Sequence, residues 1–365
     1  MSLLSKLMFW KKQSSTSDNV TSESEQVFND TSDANSKPAS IVKLACYSTL
    51  FLFIVFYLIG VYWSSEPDVF EVDEQNAYKV TGQEKQLIVG YTTVLTTEKV
   101  ARTLLEKPGG YLSNDVLPPS VFLDNLPAWE FGVLVQVRDM ASVLRNHMSR
   151  SQSQSLENAH LKEAEPLFNN DHSLWIWPAA ENKYEKAINK LSAYREELGK
   201  VETPDTQFYT RADNLRAWLT LVEKRLGGLS QRLSASVGQD RVNTDLSGDT
   251  AALQSTKNAT DLSVKTPWFE IDDTFYEARG GCWALIHLLK AIEVDFAPVL
   301  EKKNAKASLA QIIRELESTQ ESIWSPIILN GSGFGLMANH SLVMASYISR
   351  ANAGLIDLRE LLSNG

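Results

Sequence analysis

No charged residue occurs between Lys43 and Glu66. The stretch Leu44 to Trp63, rich in Leu, Ile, Val and Phe on every face, gives about 30 Å of helix at about 1.5 Å per residue, matching a bilayer's hydrocarbon core. At about 0.3 to 0.6 kcal/mol per apolar residue, insertion is favourable by roughly 3 to 6 kcal/mol before Ser48, Thr49 and Gly60 subtract. A buried core helix of this length would carry a polar face, and a signal peptide would have a shorter apolar region nearer the N-terminus. The run reads as a retained transmembrane helix at 44–63, with Tyr57, Tyr62 and Trp63 toward one headgroup layer and Lys43 at the other.

Its flanks set a direction. Lys6, Lys11, Lys12, Lys37 and Lys43 precede it, whereas Glu66, Asp68, Glu71, Asp73 and Glu74 come after it with no base among them. The positive-inside rule then puts the N-terminus in the cytoplasm and exports the large C-terminal part. The five lysines balance Asp18, Glu23, Glu25, Asp30 and Asp33, so the formal charge of −10 resides beyond the span. An acidic exported domain suits neither nucleic acid nor anionic headgroups, which reward a basic surface, so no nucleic-acid partner is expected. Of the two cysteines, Cys46 lies in the span and Cys282 is alone beyond it, so no internal disulfide can staple the exported part.

Residues 1–43 read as a largely disordered cytoplasmic tail. Met1 to Lys12 alternates Leu3, Leu4, Leu7, Met8 and Trp10 with lysines, a pattern suited to a short helix on the inner membrane surface or to a frayed end. Gln13 to Ser40 has too few apolar residues to offset ordering entropy. Residues 64–86 form an acidic connector broken by Pro67, and 87–365 a helical domain.

Within that domain, Leu87 to Leu95 predicts an extended segment or short hairpin, and Thr96 or Thr97 the cap of a helix stopped by Pro108, Gly109 and Gly110. Val133, Val137, Met140, Ala141, Leu144 and Met148 mark an amphipathic helix from Trp129 to about Arg150. Similar stripes start at Tyr184, Leu215, Leu309 and Leu336, the last running through Val343, Tyr347, Leu355 and Leu358 to Leu361. Alternating steps of three and four indicate long helices packed at shallow angles. A further helix is expected from about Asp272 to Lys303, kinked near Gly280 and Gly281 and again at Pro298, and the polar 239–266 stretch reads as a mobile segment. The predicted fold is mainly α: one transmembrane helix, then a bundle of long amphipathic helices with a small extended segment.

The words Pro108 to Asp115 (PGGYLSND), then Leu117, Pro118, Pro119, Asn125 and Trp129 to Asp139 (WEFGVLVQVRD), carry a family resemblance. They resemble a gammaproteobacterial inner-membrane family, domain-of-unknown-function family 2333, over most of the chain beyond the span. That resemblance implies a bacterial setting and hence a periplasmic address for the exported domain; it implies no catalytic residues.

Local chemistry is sparse. Gly331, Gly333 and Gly335 precede a helix but lack the Gly-Lys-Ser/Thr of a phosphate loop, so an interhelical turn is expected. His147, His160, His172, His287 and His340 include no i, i+4 pair and no HExxH, so no metal or other cofactor is expected. The candidate binding residues are Glu277, Arg279, Cys282 and His287, in the richest polar cluster, together with Arg138 and Asp139 on an apolar helix face. Arg279, Trp283 and His287 recur at i, i+4 and i+8 and line one face. Cys282 lies five residues from His287, a poor spacing for a nucleophile and base, and the better reading makes Cys282 a core filler and the glycines a close helix contact. Arg138 and Asp139 fit a buried pair that fixes helix register or lines a pocket.

These features favour a non-enzymatic interaction or scaffold protein of the cell envelope, anchored in the lipid bilayer through 44–63, with a protein partner expected. A ligand-binding or sensory module signalling through the span comes second, and an envelope hydrolase using Glu277 to His287 third. The orientation is directly testable: a cysteine introduced in the Gln239 to Thr266 segment should react with a membrane-impermeant maleimide once the outer membrane is permeabilised. Labelling only after inner-membrane lysis would reverse the topology.

Overall fold

The computed structural model describes residues 37–72, 77–81, 84–151, 155–200, 206–243 and 261–363. The surface helix expected at Met1 to Lys12, the rest of the tail to residue 36, and residues 244–260 of the segment expected to be mobile lie outside the described residues. Helix α1, Lys37–Trp63, is the one described helix long and apolar enough to cross a membrane. The chain divides within it into two units, 1–54 and 55–365. The second unit holds every other element.

A hairpin of β1 (Tyr78–Thr81) and β2 (Glu84–Leu87) leads into α2, Tyr91–Glu106. Next come α3 (Asn125–Val143), which ends in a π turn, α4 (Ala159–Phe168), α5 (Ala180–Leu198) and α6 (Ala212–Ser234). Strands β3 (Gln239–Val242) and β4 (Asp261–Val264) pair antiparallel across the two ends of the 239–266 stretch. The chain closes with α7 (Ile271–Asp295), α8 (Ala297–Lys302), α9 (Lys306–Glu317) and α10 (His340–Ser363). The fold is mainly helical, with little sheet. The predicted stripes are buried: Leu215, Trp218, Leu219, Val222, Leu226, Leu229 and Leu233 in α6, and Leu309, Ile312, Ile313 and Leu316 in α9.

Helix α7 is the axis of the unit. From Ala278 to Leu289 every residue is buried, so this stretch of the helix has no solvent face, as expected of an element surrounded by others. It packs along α3, with α2, α6 and α9 around it, while α10 lies on α6 and α9. At the α3 crossing the backbones touch. A Cβ added at Gly132 would strike the Glu277 carbonyl, and one added at Gly280 the carbonyl of Trp129. The glycines are thus a close helix contact, and α7 runs through them unbroken.

Four sequence expectations need correction. Leu87 to Leu95 is neither extended throughout nor a hairpin: the hairpin lies earlier, and the helix starts at Tyr91, with Thr96 and Thr97 buried inside it. Its cap comes from afar, because Asp295 on α7 accepts from the Thr93 amide (2.7 Å) and hydroxyl (2.6 Å). Helix α7 ends at Asp295, and a separate α8 carries Pro298 in its first turn, where proline's missing amide costs nothing. Leu336 lies outside α10, which begins at His340; its buried row is Met344, Ala345, Ile348, Ala351, Leu355, Leu358 and Leu362. Helix α4 was not foreseen, since it buries few side chains, although Asn158 caps the amides of His160 and Leu161.

The crossing predicts opposite outcomes for one type of substitution. G132A and G280A should each lose roughly 1–3 kcal/mol because backbone cannot make room for a methyl group. G228A on α6, where a Cβ meets nothing within 4 Å, should be neutral or stabilising by up to about 1 kcal/mol. Thermal unfolding of the detergent-solubilised variants decides it.

Candidate functional site

Beyond Trp63 the chain cannot continue as helix because of Pro67. Ser64 closes α1 by returning its amide (2.9 Å) and hydroxyl (2.7 Å) to the Gly60 carbonyl. The next residues lie along α7 as a strap. Arg279 Nε donates to Glu66 Oε2 (2.5 Å), Trp283 Nε1 to the Asp68 carbonyl (3.2 Å), and the Phe70 amide to His287 Nε2 (3.0 Å). The registers match physically: four helical residues rise about 6 Å, and two extended residues about 6.6 Å. The predicted face of Arg279, Trp283 and His287 therefore meets every second residue of the strap.

Each grip is supported behind. Arg279 Nη1 also donates to the Thr319 and Glu321 carbonyls, each at 2.9 Å, and Nη2 to that of Gln320 at 3.2 Å. These carbonyls lie just past α9, so one guanidinium ties strap, α7 and the α9 end together. Burial pushes the Glu66 carboxyl up, opposed by the Arg279 charge and hydrogen bond. His287 Nδ1 donates to the Trp283 carbonyl (2.7 Å), which leaves Nε2 as the acceptor the Phe70 amide requires. Burial lowers this imidazole to about 4, chiefly by desolvation, so it is neutral at physiological pH. Phe70 stacks on it at 3.8 Å with Lys99 Nζ 4.1 Å from the Phe70 ring centroid.

A second polar centre holds the Pro108 to Asp115 turn. Lys107 Nζ and Glu130 Oε1 are 2.6 Å apart with both side chains fully buried. Glu130 also accepts from the amides of Leu112 and Ser113, each at 2.8 Å, and from the Ser113 hydroxyl. A buried carboxylate is tolerated only with such saturation. Gly109, at φ +84°, lets this turn lie against Trp63, since a side chain there would enter the indole.

The six candidate residues are not gathered into one site. Arg138 and Asp139 are not a pair, because adjacent helical positions face different ways. Arg138 donates to the Phe168 (2.7 Å) and Asn170 (2.6 Å) carbonyls, and Asp139 accepts from Arg225 at 2.7 and 2.9 Å. Glu277 takes both arms of Arg232 on α6. Cys282 is buried, and desolvation pushes its thiol up to about 12. Arg279 and His287 alone share a structure, the strap. Sequence reasoning missed its other half: Pro67 and Phe70 inside the acidic stretch were the available signal.

Several clefts adjoin these elements. One of about 360 Å³ is bounded by Ser64 to Val69, Tyr276, Arg279 and Gln320. A second, about 190 Å³, lies between α3, α6 and α7, where Gln136 Oε1 is buried with no hydrogen-bond partner among the described residues. A third, about 510 Å³, brings Asp124, Glu270, Asp273 and Glu277 together; burial and these neighbouring carboxylates raise Asp273 to about 6. Among the described residues no three His, Cys, Asp or Glu side chains are placed to hold a metal ion.

A family model described as an uncharacterized protein conserved in bacteria, domain-of-unknown-function family 2333, matches residues 37–365. The chain belongs to that family. The match covers α1, the strap and the helices together, and the turn around Glu130 is built from the words that carried the resemblance. No curated protein and no solved structure matches the chain.

His287 gives the strap a pH signature. Between about 6.5 and about 4 the unfolded imidazole binds a proton that the folded one refuses, so falling pH should weaken the fold through this group. Asp295, raised by burial to about 6, works the other way: its folded carboxyl takes a proton first. The clean readout is therefore the difference between wild type and H287Q, whose amide carbonyl can accept from Phe70 without titrating. Unfolding midpoints should converge as pH falls from 6.5 to 4, and a pH-independent difference would refute the assignment.

Proposed function

We propose that this is a single-pass inner-membrane protein whose helical domain faces the periplasm and acts without catalysis, as an interaction or scaffold protein of the bacterial cell envelope. The family's bacterial distribution and the change from lysines before the span to carboxylates after it support the address. The observation that carries the interaction reading is the engagement of the candidate polar groups. Arg138, Asp139, Glu277, Arg279 and His287 each bond within the chain, and the last two fasten the strap to α7. Side chains held this way keep the strap fixed on the helical domain, which suits a protein that positions a partner.

A ligand-binding or sensory module is the second reading, favoured by the buried side-chain carbonyl of Gln136, without a partner among the described residues, on a residue that lines the α3–α6–α7 cleft. Native mass spectrometry of the full-length protein extracted gently from its own membrane separates the two. A co-purifying protein at fixed stoichiometry, or a defined oligomer, is the expected result. A bound small molecule removed by Q136L would shift the assignment to the second reading, and a bare monomer would count against both.

A further inference from the structure

The second unit includes Val55 to Trp63, the last turns of α1, so the end of the apolar helix has neighbours on the helical domain. A Cβ at Gly60 would lie 3.7 Å from Pro119 Cβ and 3.9 Å from Leu123 Cδ2. The loop from Val116 to Leu123 therefore stands level with Gly60, about 4.5 Å inside the end of the apolar helix. On this loop Leu117, Val121 and Phe122 are exposed, Phe122 by 78%.

A separate argument brings a second element to that depth. Because Arg279, Trp283 and His287 hold Glu66, Asp68 and Phe70 in ascending order, α7 runs in the same direction as the strap. Its N-terminal half thus extends back past Glu66 toward the end of α1. Trp268 and Phe269, 71% and 80% exposed, precede Arg279 by about 15 Å along that axis, whereas Glu66 lies only three residues past Trp63. A third element agrees: Ile323 borders the cleft beside Ser64, and Trp324, next in sequence, is 97% exposed.

The opposite end of α7 is different in kind, with Glu301, Lys302, Asn304 and Lys306 exposed. Trp175, Trp177 and Phe334 are exposed elsewhere on the chain, but the rings of these three loops are tied by contacts to the end of α1 and the strap, and grouped apolar rings mark an interaction surface. Indole and phenyl rings partition favourably at a bilayer boundary.

We propose that these three loops form a membrane seat: Leu117 and Phe122, Trp268 and Phe269, and Trp324 enter the headgroup region of the leaflet from which the span emerges. The occupant is the lipid bilayer itself, continuous with the surface that α1 already presents. Asp124 and Glu270, next in sequence to Leu123 and Phe269, share a cleft with Asp273 and disfavour anionic headgroups. The seat therefore holds by ring insertion rather than by charge, and salt leaves it in place. The inference rests on reading α1 as a span, so the test reports on both.

The full-length chain carrying Cys46→Ser is reconstituted in phosphatidylcholine nanodiscs containing acyl-chain doxyl quenchers, Cys282 being buried and unreactive. An environment-sensitive fluorophore is attached at F122C, W268C or W324C, at V61C within the span, and at E301C on the distal end. The three loop probes should show at least about half the quenching at V61C, in low and high salt alike, with E301C below about a tenth. Quenching at V61C with loop probes matching E301C would overturn the seat and leave those rings to a protein partner. An unquenched V61C would instead overturn the span, and the seat with it.

Discussion

The contact between the backbones of α3 and α7 is the constraint on which the other arrangements depend. Gly132 and Gly280 bring two main chains together where any side chain would force them apart. With α3 pressed on one side, α7 offers its remaining faces to α2, α6, α9 and the strap. Each of those neighbours is then placed by what α7 exposes toward it: Glu277 toward Arg232, Arg279 toward Glu66, Asp295 toward the start of α2. A close-packed helix of this kind transmits displacement rather than absorbing it.

The polar groups buried in this framework tie distant parts of the chain together. Glu66 and Arg279 are 213 residues apart, and Thr93 and Asp295 are 202 apart. Glu130 draws four donors from the turn at Lys107 to Ser113. Such groups add little net stability over apolar packing, but they penalise any register in which a partner is missing. That is the physical content of a polar cluster around α7 that does not converge on one cleft: its members fix how strap and bundle fit.

Much of the helical fold was legible in the residues because stripes at helical spacing report local amphipathicity. The α3, α5, α6 and α9 rows are of this kind, and so is the face of Arg279, Trp283 and His287. What that face grips was not legible, since an extended strap of five residues carries no periodic signal. The start of α2 was misplaced for a related reason: Tyr91 to Leu95 is rich in β-branched residues, and the carboxylate that caps it belongs to α7. The Arg138 and Asp139 pair failed because sequence adjacency suggested contact, whereas helical geometry sends neighbours to different partners.

The sequence by itself determined the apolar helix, its charge asymmetry and the helical character of the domain beyond it, because these depend on composition and spacing within a few turns. Tertiary structure alone decided that Glu66 to Phe70 is fastened to α7, that Gly132 and Gly280 lie at one helix crossing, and that the loop from Val116 to Leu123 lies against Gly60. Those facts join residues tens to hundreds of positions apart, and no local pattern encodes a partner that only the folded chain brings near.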